Sequence, residues 1–141
     1  MNQHLHIITL GVKDLQRSRQ FYSKTLGWKI ASPSSDDITF FQAGGVVLAI
    51  YPREKLAEDA LTTPEGSGFS GVTLAFNARS ETEVDEIIKT LRSKGVQIIK
   101  DPQKVFWGGY SSYFADPDGF CWEVAYNPFF PFDDNGNLKL E

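Results

Sequence analysis

The chain has 141 residues, 41% hydrophobic and 23% charged, which excludes a fibrous repeat or a disordered polymer. One cysteine, Cys121, leaves no internal disulfide and no cysteine-based zinc cage. The formal net charge of -4 argues against nucleic acid as a partner, and no apolar run approaches the roughly 20 residues of a membrane span. The first residues show no basic stretch followed by an apolar one, so a cytoplasmic protein is expected. Aromatics are abundant, with 11 Phe, 5 Tyr and 3 Trp, which fits a dense core or an apolar ligand cavity.

His6 to Val12 is short, β-branched and alternating, and reads as a strand with His6, Ile8, Leu10 and Val12 on one face and Ile7, Thr9 and Gly11 on the other. Asp14 suits a helix N-cap, and Leu15 to Leu26 carries apolar residues at helical spacing before Gly27 stops it. Trp28 to Ile30 resumes as a strand. Ile38 to Ala43 and Val46 to Tyr51 form a hairpin around Gly44-Gly45. Arg53 to Leu61 has the composition of a short helix, and Thr62 to Gly68 that of a linker.

The pattern then repeats. Gly71 to Phe76 reads as a strand, and Ser80 to Glu83 is a capping box before a helix with Val84, Ile87, Ile88 and Leu91 on one face. Gly95 ends that helix. Val96 to Ile99 and Gly109 to Ala115 follow as strands, then the turn Asp116-Pro117-Asp118-Gly119 and a last strand, Phe120 to Tyr126. Ile8-Thr9-Leu10 answers Val72-Thr73-Leu74, so the order β-α-β-β-β occurs twice. The fold class expected is α+β, one domain over residues 1–141. It comprises a first module at about 5–52, a linker at about 53–70, a second module at about 71–128 and a tail at 129–141. Neither half could bury a sheet face alone, so the two modules are expected to share a cupped mixed sheet.

Val12-Lys13-Asp14-Leu15, Phe21-Tyr22, Leu26-Gly27-Trp28 and Ala115 to Gly119 running into Trp122-Glu123 together resemble the vicinal oxygen chelate superfamily. That group includes glyoxalase I, bleomycin and fosfomycin resistance proteins and extradiol dioxygenases. The resemblance implies paired βαβββ modules, a homodimer, and a divalent metal acting as a Lewis acid within the cup. Of the ligand positions it implies, only Glu123 carries a metal-binding side chain; the others fall on Ile7, Ala49 and Gly71 or Val72. His6 beside Ile7 would enter the cup only by a register slip that also moves Ile8 and Leu10 out of the core. The expectation is therefore no resident cofactor, with a divalent metal as the alternative.

Glu123 is the candidate catalytic residue, as general base or as acceptor for a ligand. Thr9, Ala49, Thr73 and Cys121 are candidate ligand contacts on the inner strand faces. Trp107 and Tyr110 are further candidates, from the glycine-bearing aromatic loop Val105 to Tyr110. The expected function is binding of a small organic molecule. The alternatives are a glyoxalase-like lyase or isomerase and a structural or regulatory dimer. The tail, Asn127-Pro128-Phe129-Phe130-Pro131-Phe132, is too apolar to stay in water. It is expected to dock on a partner subunit or across the cup.

Overall fold

The computed structural model describes residues 3, 5–70 and 72–140. It divides into two units: Met1–Ser67 with Asp134–Asn137, and Gly68–Asp133 with Leu138–Glu141. Each contains one mixed sheet, giving the α+β class that the sequence implies.

In the first unit, β1 (Ile7–Val12) lies parallel to β3 (Val46–Pro52), which lies antiparallel to β2 (Thr39–Ala43). Asp14 caps α1 (Leu15–Gln20), its Oδ1 accepting from Arg17 N at 2.9 Å. The helix then widens into a π-turn over Phe21–Thr25, where Leu26 N donates to Phe21 O at 3.0 Å. The wider turn lets two consecutive aromatics bury together, Phe21 and Tyr22, with rings 5.3 Å apart edge to face. Tyr22 packs 5.6 Å from Phe41, over a face formed by Leu10, Val12, Leu48 and Ile50.

The strand expected at Trp28–Ile30 is only a single bridge, Ile30 to Phe41. A side chain explains the loss. Ser34 Oγ takes the backbone N–H of Phe40 at 2.9 Å, so a hydroxyl occupies the ladder position of a neighbouring strand. The segment after β3 forms α2 (Arg53–Asp59), which packs on the other face of this sheet. A Cβ at Gly11 would stand 3.2 Å from Arg53 Cα and 3.3 Å from Leu56 Cδ2.

In the second unit the strand order is β4 (Thr73–Ala78), β7 (Cys121–Tyr126), β6 (Tyr110–Ala115), β5 (Ile98–Lys104). Gly71, expected to begin β4, lies outside the described residues. Ser80 caps α3 (Glu81–Ser93) through Glu83 N at 3.1 Å, and Glu83 Oε2 returns to Arg79 N at 2.6 Å. Val84, Ile88 and Leu91 form the buried stripe of α3. β5 runs five residues beyond its expected end, through Pro102, which an outer strand with two register shifts accommodates.

The β6–β7 turn is held by Asp116, whose Oδ1 accepts from the amides of Asp118 and Phe120, both at 2.9 Å; Gly119 supplies the left-handed residue at φ +86°. The tail forms a small hairpin, with Phe132 bridged to Leu138 and the Arg79 guanidinium 4.5 Å from the Phe132 ring centroid. Within the first unit, Asn137 Oδ1 lies 2.7 Å from where a Cβ of Gly44 would stand. Among the described residues no helix is long and apolar enough to cross a membrane.

Candidate functional site

Strand register assembles the site. In the second sheet Ala75 pairs with Glu123, and Glu123 pairs with Tyr113. One row along, Asn77, Ala125 and Ser111 are neighbours. Tyr110 identifies the other face, because its hydroxyl donates to Asp85 of α3 at 2.9 Å. Tyr126, Val124 and Trp122 alternate on that helix side, where Trp122 stacks on Phe114 at 6.0 Å between centroids. Glu123 therefore faces away from α3, between two small-residue neighbours, Ala75 and Ala125.

Glu123 is half-buried and held by its neighbours on β6. Ser111, which is 1% exposed, donates Oγ–H to Glu123 Oε1 at 2.7 Å. Tyr113 adds a second interaction. Its phenol is raised above the ordinary value, first by burial, then by the negative charge of Glu123, the charge of Cys121 and a hydrogen bond to Glu123. At neutral pH Tyr113 is thus a neutral donor, and the Glu123 oxygens keep lone pairs beyond those that Ser111 and Tyr113 use. Lys100 on β5 carries its Nζ 5.6 Å from the Tyr113 ring centroid. The row Lys100–Tyr113–Glu123 offers a cation, a phenol and a carboxylate side by side.

The structure does not bring all the expected residues together. Thr73 and Cys121 are paired neighbours on the Glu123 face. Cys121 is half-buried, its Sγ 3.8 Å from Gly119 O. Trp107 lies across Gly109: a Cβ there would overlap the benzo ring of the indole. Tyr110, expected to contact a ligand, faces α3 instead, because the strand alternation that turns Ser111 toward Glu123 turns Tyr110 away. Thr9 and Ala49 belong to the first sheet, paired with each other. Ala49 has 0% exposure, so it offers no surface to a ligand, while Thr9 is half-buried.

Ser111 and Tyr113 were not among the sequence candidates. Counting equal steps outward from Asp116-Pro117-Asp118-Gly119 would have found Tyr113, since Ala115 pairs with Cys121 across that turn. Ser111 needs one further step of the same alternation.

Among the described residues, the side chains do not fit the divalent metal that the family resemblance implies. Among the described residues no three His, Cys, Asp or Glu side chains are grouped to hold an ion. Ile7 is apolar and 50% exposed, and His6 precedes the strand with its carbonyl accepting from Val47 N at 2.8 Å. Glu123 is engaged by hydroxyls. Two clefts of about 550 and 390 Å³ lie in the first unit, one lined by Trp28, Ile30 and Ala43, the other by Lys13, Arg53 and Glu65. Neither includes a residue of the Glu123 cluster.

These features define a class: an α+β protein of two mixed sheets, one of three strands and one of four, with a hydroxyl-held carboxylate on the face of the second sheet turned away from its helix. The family model described as Glyoxalase/Bleomycin resistance protein/Dioxygenase superfamily matches residues 4–124, and the chain belongs to that superfamily. It is similar to a glyoxalase-related enzyme from Fulvimarina pelagi, 35% identical with TM-score 0.86, the match covering 98% of each chain. It is 30% identical to the fosfomycin resistance protein FosX of Listeria monocytogenes, over 83% of this chain and 84% of the relative. The metallothiol transferase FosB of Staphylococcus saprophyticus is 28% identical, over 88% and 77%.

Proposed function

We propose that this protein binds a small organic molecule on the Glu123 face of its second module, without a complete resident metal site. One observation carries the reading: a half-buried carboxylate fixed at 2.7 Å by a buried serine, on a sheet face whose neighbours Thr73 and Ala75 are exposed. A carboxylate so held is oriented before a ligand arrives, and its free lone pairs suit a hydroxyl or amine donor, or a proton taken from the ligand. The resistance proteins among its relatives support a small-molecule partner. Among the described residues β1 and β4 are the end strands of their sheets, and their exposed Ile7 (50%) and Phe76 (47%) support a homodimer. A single cysteine fits the cytoplasm, where thiols stay reduced.

A thermal-shift screen of small organic molecules tests this, with metal content measured on the same preparation. Ligands that raise the melting temperature of the wild type and not of Glu123→Gln are expected; a ligand at 100 times its dissociation constant adds roughly 2.7 kcal/mol. Hits indifferent to Glu123→Gln, or stoichiometric metal removed together with all binding, would refute it.

A further inference from the structure

The loop between β5 and β6 carries an aromatic that the carboxylate site alone does not explain. Val105 N donates to Gly109 O and Gly108 N to Val105 O, each at 3.0 Å, closing a tight turn. Gly108 takes φ +89°, a conformation that favours glycine. Gly109 is buried, and the benzo ring of Trp107 occupies the volume that any side chain at Gly109 would need. A second ring braces the turn, since Phe129 Cε2 lies 3.4 Å from where a Cβ of Gly108 would stand.

The side of the sheet on which the indole rests follows from alternation. Tyr110 points to α3, as its bond to Asp85 shows. Gly109 and Ser111 therefore open to the opposite side, where Ser111 meets Glu123. Trp107, filling the space above Gly109, stands on the Glu123 face, roughly 7 Å along β6 from Ser111 by the rise of an extended chain. The indole is half-buried, so it is oriented by the glycine notch and still presents surface.

We propose that Trp107 is a stacking element for the ligand of the Glu123 site, and that the ligand class is a flat aromatic ring bearing a hydroxyl or amine donor. This rests on the preceding reading and narrows it. An indole held in place loses little freedom on binding and favours a planar partner, while Glu123 takes the donor. A glycine at 109 is required because a methyl group would expel the ring.

The test uses proflavine, a flat aromatic diamine, against trans-1,4-diaminocyclohexane, a non-planar diamine, by calorimetric titration of the full chain. Proflavine is expected to bind the wild type and the diaminocyclohexane to bind at least about tenfold more weakly, a difference near 1.4 kcal/mol. Trp107→Ala and Glu123→Gln are each expected to weaken proflavine at least about tenfold. Trp107→Phe, which keeps an aromatic ring, should stay within about threefold. Proflavine binding that falls with Glu123→Gln and not with Trp107→Ala overturns the stacking role and leaves the Glu123 site standing. So does a non-planar ligand that is Glu123-dependent and binds as well as proflavine, or is found where proflavine fails. Absence of any Glu123-dependent ligand overturns both.

Discussion

The two modules share an order of strands and differ in what they do with the face turned away from their first helix. In the first, α2 closes on Gly11, and Ala49 is fully buried. In the second, the equivalent face carries Glu123, Ser111, Tyr113 and Lys100. The outer strands differ too. β5 pairs with β6 from Ile98 to Lys104, whereas its counterpart makes one bridge at Ile30 and leaves Ser34 to satisfy Phe40. The face turned away from the first helix is thus mainly packed in one sheet and carries a row of polar side chains in the other.

The strongest way to break this comparison is to empty the first module's core. Phe41 is 0% exposed and packs on Tyr22 and Trp28. Phe41→Ala is expected to cost about 3–5 kcal/mol, read from urea unfolding. A loss below about 1 kcal/mol would show that the Tyr22 side of the first sheet is not a packed core. Next in size is Gly11→Ala. Its methyl group meets the backbone of Arg53 at 3.2 Å, so α2 must shift, at about 1–3 kcal/mol. An unchanged unfolding midpoint would mean that α2 sits loosely and the first sheet's second face is open after all.

Ser34→Ala sharpens the contrast between the outer strands. It removes the acceptor of Phe40 N and should cost about 1 kcal/mol, with faster hydrogen exchange at the Phe40 amide. Exchange unchanged by the substitution would assign that amide another partner.

The smallest effect belongs to the second module and appears only in alkali. The phenol of Tyr113 is raised above 10.0, so the fold favours its protonated form. Stability from this source is complete below pH 10 and fades as the pH rises through the folded value. Ultraviolet titration of the folded protein should show a late-ionising tyrosine that Tyr113→Phe removes. Tyr110, raised mainly by its hydrogen bond to Asp85, should remain in that variant. A wild-type profile in which every tyrosine ionises at its ordinary value would dissolve the Tyr113–Glu123 coupling.

Local chemistry made much of this legible in the sequence. Asp14 as a cap, the Ser80–Glu83 box and the Asp116 to Gly119 turn each act within a few residues, and all three form as read. Glu123 was marked by the family resemblance, and strict alternation then set it on the opposite face from Trp122. Of its partners, Tyr113 could be reached only by counting across the Asp116 to Gly119 turn, and Ser111, twelve residues from Glu123, depends on the pairing of β6 with β7. The same pairing turned Tyr110 to α3. The loss of the Trp28–Ile30 strand had no pattern of its own, since a serine hydroxyl competing for one amide leaves no periodicity.

The sequence by itself determined the repeated order of elements, all but the Trp28–Ile30 strand, because caps, turns and apolar period act over a few residues. Which sheet face stays available, and which hydroxyls hold the carboxylate, was decided only by the tertiary structure. Those outcomes depend on register between distant strands and on where α2 and the Trp107 turn come to rest.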